Sequence, residues 1–146
     1  MKTVIKCLDG GIAVMTLVDG ADLQEALRKW DDVNPGKYLS HRDMPASAIP
    51  ADREFRSAWA DTTPELVIDI DMPKAREIHL NGIREKRNAE LARLDIAAIK
   101  AQDTSDDATL QTIRARKQEL RDLPVTIAPT LAAASTAIEL KLIQPV

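Results

Sequence analysis

The side chains able to do covalent or metal chemistry are few, and the sequence gathers them nowhere. Cys7 is the single cysteine, and the two histidines, His41 and His79, lie far apart. A thiol becomes a nucleophile when a base sits within hydrogen-bond reach, so a Cys7–His41 or Cys7–His79 pair is the one thiol centre the composition permits. No local signature supports either pair, and packing or surface roles fit these residues better. Asp69 and Asp71 stand two apart, and Asp103, Asp106 and Asp107 form a cluster. Grouped carboxylates can hold Ca²⁺ or Mg²⁺, but this cluster lacks the glycine and the distant glutamate of a calcium loop. Capping a helix start is the better use of these acids. Asp9-Gly10-Gly11 is a hairpin turn rather than a phosphate cradle, because no GxGxxG or Walker pattern surrounds it. The reading is of a protein with no catalytic residue, no cofactor, no metal and no small-molecule substrate.

Charge and composition narrow the partners. Lys74, Arg76, Arg84, Lys86, Arg87 and Arg93 alternate with Glu77, Glu85, Glu90 and Asp95. That is a solvated face laced with pairs such as Glu90 with Arg93, each adding a few tenths of a kcal/mol. With a net charge of −3, nothing draws the whole chain to nucleic acid or to an anionic membrane. The opening MKTVIKCLDGGIAVMTLV is broken by Lys2, Lys6, Asp9 and glycines, and no later apolar run approaches the roughly 18 residues of a membrane span. The expectation is a soluble, unprocessed chain suited to a reducing compartment. The 146 residues are 45% hydrophobic but only 3% aromatic, so a core must be built from Ile, Leu, Val and Ala. A region of about 70 residues with so few large side chains has a thin stability margin, which association would widen.

The stretch from Asp71 to Leu123 organises the rest. Asp71 can accept from first-turn amides and Pro73 falls within that turn, so a helix is expected from about residue 72. Leu80, Ile83, Leu91, Leu94 and Ala98 form one apolar stripe at helical period. Ile78, Gly82, Ala89, Ala92, Ile96 and Ile99 form a second, well around the axis at ~100° per residue. Residues 102–107 contain no side chain that seeks a core, and Thr104 or Ser105 is positioned to cap the next helix. There Leu110, Ile113, Lys117 and Leu120 share a face, and Pro124 is expected to end the element. The short connection predicts an antiparallel αα-hairpin. The hairpin buries one stripe of the longer helix. The second stripe is expected to meet the N-terminal region, the C-terminal segment or another copy of the chain.

Ahead of the hairpin, β-branched runs at about 2–8 and 12–18 flank the Asp9-Gly10-Gly11 turn and predict a β-hairpin. Leu23, Ala26, Leu27 and Trp30 then share one side of a short helix capped by Asp22, ended by Asn34-Pro35-Gly36. KYLSHRDM is a weaker third strand. In ADREFRSAW, helical spacing would turn Phe55 and Trp59 the same way, with Ile49 as a hydrophobic staple. Residues 66–70 read as a strand. Past Pro124, a last helix is expected over 132–143. The predicted fold class is α+β, with residues 1–70 as a small α+β domain and residues 71–146 as a helical hairpin with a short C-terminal helix. Core anchors are Phe55, Trp59, Leu91, Leu94, Ile113 and Leu120. The partner or oligomer face is Ile78, Gly82, Ala89, Ala92, Ile96 and Ile99.

Three segments carry a resemblance, the third being Ile83-Arg84-Glu85-Lys86-Arg87. Asp52-Arg53-Glu54-Phe55-Arg56-Ser57-Ala58-Trp59, followed by Met72-Pro73-Lys74-Ala75-Arg76-Glu77-Ile78-His79, resembles a group of small tailed-bacteriophage proteins. In that group an Asp-Arg-x-Phe-Arg-x-Ala-Trp segment precedes a Met-x-Lys-Ala-Arg-x-Ile-His helix. The opening DGGIAVM, Lys117 to Leu123, and Glu139-Leu140-Lys141 are similar to its pattern too. Pro73 and Gly82 depart from its usual choices in the long helix. The group is encoded among tail and tail-fibre genes. The resemblance implies a virion component or an assembly factor in contact with other tail or fibre proteins; the two stripes and the thin core add the expectation of a connector or fibre-associated structural protein that oligomerises through its helices. It implies the host cytoplasm during assembly and the virion tail afterwards. The alternative it implies is a tail-fibre assembly chaperone that is not retained in the particle. It brings no catalytic residue.

Overall fold

A computed structural model describes residues 1–62 and 67–145. The chain divides into two compact units, Met1–Ala75 and Arg76–Val146. The fold is α+β, with antiparallel strands first, then long helices and a short C-terminal helix.

In the first unit, strands β1 (Lys2–Cys7), β2 (Ile12–Met15) and β3 (Tyr38–Met44) form an antiparallel sheet in the order β2-β1-β3. Gly10 makes the β1–β2 turn with φ +80°, a conformation that a Cβ disfavours. The register sets Val4 opposite Val14 on one side and Arg42 on the other. Neighbouring side chains on a strand point to opposite faces, and both Val4 and Ile5 are fully buried, so β1 is covered above and below. Helix α1 (Leu23–Val33) connects β2 to β3, and the Asp22 carboxylate caps it by accepting from the Gln24 amide.

After β3 come two 3₁₀ turns, Ala46–Ala48 and Arg56–Ala58, and the short pair β4 (Trp59–Ala60) and β5 (Asp69–Ile70). Residues 51–59 are therefore not the α-helix their spacing suggests. The Asp52 carboxylate takes the Glu54 amide, a local bond that competes with helix. Trp59 is then claimed by pairing with Ile70. Phe55 and Trp59 are nevertheless both buried. Trp59 packs with Val4, Met44, Ala48 and Ile68, and Ile49 lies against this cluster without a helix to staple. Of the strand expected at 66–70, Leu66 lies outside the described residues.

Helix α2 (Met72–Asp103) begins with the Asp71 carboxylate accepting from the Lys74 amide. It ends in a tight reversal: Ser105 takes φ +55°, its amide donates to Gln102 O, and the Asp106 amide donates to Ala101 O. That is the paired bond pattern of a Schellman stop. The cap of the next helix, α3 (Asp107–Ala133), is Asp106 rather than Thr104 or Ser105. Its carboxylate accepts from both the amide and the hydroxyl of Thr109. The next residue, Asp107, adds a negative charge in the first turn, which favours the helix start.

The two helices run antiparallel. Leu94, Ala101, Leu110, Ile113 and Leu120 form the seam, with Leu91, Ala97 and Ala98 partly buried against it. Lys117, half-buried in the same row, reaches Asp95 at 2.5 Å. α3 does not stop at Pro124. It runs through Pro124 and Pro129 to Ala133. The row Leu110, Ile113, Lys117, Leu120, Pro124, Ile127, Leu131 and Ala134 keeps alternating steps of three and four, and Ile127, Leu131 and Ala134 are buried. An internal proline costs about 3 kcal/mol. Burying Ile127 and Leu131 returns roughly 1.5–3 kcal/mol each, and Arg76 adds two hydrogen bonds to Ala134 O. The C-terminal helix is consequently shorter than expected, α4 (Ala137–Leu142), capped by Thr136 and anchored by a fully buried Leu140.

Candidate interaction surface

A helix packed in a hairpin has one row to bury, and α2 carries two. Its inner row is covered by α3. Its N-terminal part is covered further: His79 is buried and its Nε2 lies 2.9 Å from Ile143 O, while Lys86 Nζ donates to the Gln144 side chain. Beyond those contacts the outer row opens. Ile78 and Gly82 are half-buried, Ala89 and Ala92 are exposed, and Ile96 and Ile99 are 59% and 57% exposed. Exposed isoleucines near that level, two in sequence on one helical face, mark an uncovered patch rather than scattered surface residues.

The outer row has heptad order. Gly82, Ala89 and Ile96 fall seven apart, as do Ile78, Ala92 and Ile99 with Glu85 between them, so the row is an a/d seam broken at one d position. Small residues at Gly82, Ala89 and Ala92 allow a partner backbone to approach closely, and a Cβ built at Gly82 meets nothing within 4 Å. Lys86, Arg93 and Lys100 flank the seam on one side, and Asn88, Asp95 and Gln102 on the other. Arg93 is held by both oxygens of Glu90. That pairing keeps the Glu90 carboxyl below its ordinary range, with the Arg116 charge contributing.

No protein family, curated protein or solved structure matches this chain. The local geometry therefore carries the functional argument.

The residues considered for chemistry do not assemble. Cys7 is buried, and burial followed by the Asp9 carboxylate pushes its thiol up, with Lys37 opposing. The thiolate is thus disfavoured where a nucleophile would need it. The register puts Tyr38 opposite Cys7, and the Tyr38 hydroxyl is 2.7 Å from His41 Nδ1. His79 belongs to the second unit and is bonded to the Ile143 carbonyl. Asp69 accepts from the Thr62 hydroxyl, Asp71 and Asp106 cap helices, and among the described residues no three His, Cys, Asp or Glu side chains form a metal-holding group.

Of the core anchors, Phe55, Trp59, Leu94, Ile113 and Leu120 are buried, and Leu91 is partly buried against the hairpin seam. Sequence reasoning missed Ile127 and Leu131 in the second half of the α3 row and gave Ala134, the C-cap of α3, to the last helix. Their three-and-four spacing from Leu120 was the available signal, and the intervening proline masked it. Among the described residues no helix is long and apolar enough to cross a membrane.

Proposed function

We propose that this protein is a non-enzymatic structural component of a bacteriophage tail that self-associates through the outer row of α2. The observation carrying the reading is the open seam of Ala89, Ala92, Ile96 and Ile99 on α2, whose opposite row is buried against α3. The resemblance to small tail-region phage proteins supplies the setting. Charge favours a second copy with its α2 parallel to the first. In that arrangement Asp95 of one copy faces Lys100 of the other, and the Asp95 side chain is still 66% exposed beside Lys117. An antiparallel pairing would set the basic row of Lys86, Arg93 and Lys100 against itself. Light scattering on purified protein should therefore show a dimer or higher oligomer that Ile96→Asp with Ile99→Asp converts to a folded monomer. A wild-type monomer at 100 micromolar defeats the self-association, and absence of the protein from purified virions by mass spectrometry defeats the structural role.

The brevity of the seam favours a second reading. It offers four apolar positions, two of them alanine, before Glu85 interrupts it, which suits transient contact. A tail-fibre assembly chaperone would use the same row on a fibre chain and leave before the particle is complete. Co-expression separates the two, because a fibre that is equally soluble and assembled without this protein needs no chaperone.

A further inference from the structure

The first unit contains a cavity of about 510 Å³ bounded by β2, the 3₁₀ turn at Ala46–Ala48 and the segment leading to β4. That volume lies within the range of small-molecule pockets. Its floor is apolar, formed by Val14, Ile49, Trp59 and Ile68, and its described lining includes three cations, Lys2, Arg53 and Arg56, with no acid. Among the described residues no carboxylate balances that charge. Lys2 donates to the neutral hydroxyl of Thr16 at 2.5 Å. Among the described residues, Arg53 and Arg56 take no part in an ion pair.

A second observation comes from the floor. Trp59 is 3% exposed, and its indole N–H is buried with no acceptor among the described residues. That nitrogen is sealed from solvent, so it would sense an occupant through the packing of the indole ring rather than by direct contact. Three cations with no ion-pair partner among the described residues repel a cationic occupant. A neutral hydrocarbon leaves the charge unanswered, and a bare inorganic anion leaves the apolar floor empty. We propose that this cavity binds a small organic anion, a carboxylate or a phosphate monoester, whose apolar body lies on Trp59, Val14, Ile49 and Ile68 beneath Lys2, Arg53 and Arg56.

The full chain can be titrated with 4-phenylbutyrate, phenyl phosphate, 4-phenylbutanol and inorganic phosphate while the Trp59 indole N–H signal is followed by NMR. Trp30→Phe leaves it as the sole indole signal; if that variant does not fold, contacts to Ile68 assign it in the native chain. The expected result is a saturable shift with at least one organic anion at a concentration about tenfold or more below any effect of the alcohol or of inorganic phosphate, and the two anions distinguish a carboxylate head from a phosphate. Arg53→Gln and Arg56→Gln, at exposed positions, should each weaken binding about tenfold, the worth of one charge-assisted hydrogen bond. No shift with either organic anion at millimolar concentration overturns the proposal. So does an alcohol that binds as well as the anions, or unchanged affinity in both arginine variants.

Discussion

Single residues decide where the hairpin turns. Ser105 holds a left-handed conformation at φ +55°, which costs an L-residue roughly 1–2 kcal/mol and glycine almost nothing. Glycine loses more freedom on folding, about 0.5–1 kcal/mol, so Ser105→Gly should stabilise the protein by about 0.5–1 kcal/mol. A lower denaturant midpoint in that variant would show that the serine side chain contributes something the backbone argument omits. Two capping carboxyls tie stability to acid. The Thr109 hydroxyl, then its amide, holds the Asp106 carboxyl below the usual range, and the Ser135 amide, then its hydroxyl, does the same for Glu139. A carboxyl with a depressed folded pKa adds stability that is present above its unfolded value, near 4, and is lost as pH falls through the folded one. Asp106→Ala and Glu139→Gln should therefore melt below wild type at pH 7, and the gap should narrow from about pH 4 downward. A gap that stays constant to pH 2.5 would mean the charges are not what these residues contribute.

Elements follow their sequence signals until a tertiary row outweighs them. The α1 cap at Asp22, the Gly10 turn and the start of α2 at Asp71 were all legible, because each depends on neighbours within four residues. Pro124 signals a stop, yet α3 runs nine residues beyond it; the proline penalty is local, but the burial of Ile127, Leu131 and Ala134 is not. Ile127→Ala should accordingly cost about 2–5 kcal/mol. A loss below 0.5 kcal/mol in chemical denaturation would place the working end of α3 at Pro124 after all. Conversely, the spacing of Phe55 and Trp59 suits a helix over residues 51–59 that does not form. The Asp52 side chain and the Trp59–Ile70 pairing consume the groups a helix would have needed.

At the scale of the whole molecule, the two compact units carry different spectroscopic reporters. Both tryptophans, Trp30 and Trp59, lie in Met1–Ala75, whereas most of the helix lies in Arg76–Val146. Each unit has its own apolar cluster, and such chains depart from a single two-state transition. Tryptophan fluorescence and far-ultraviolet circular dichroism should give separate urea midpoints. The helical midpoint should rise with protein concentration if association covers the α2 row. Coincident, concentration-independent curves would show one cooperative block without self-association. By itself the sequence determined the α+β class, the hairpin and the two rows of α2, because periodicity, caps and turn residues act over a few positions along the chain. Only the tertiary structure decided that α3 passes its prolines, that α2 stays uncovered from Ala89 to Ile99, and that Lys2, Arg53, Arg56 and Trp59 surround one cavity. Those outcomes depend on which surfaces distant segments bury against one another, a free-energy balance that no local window contains.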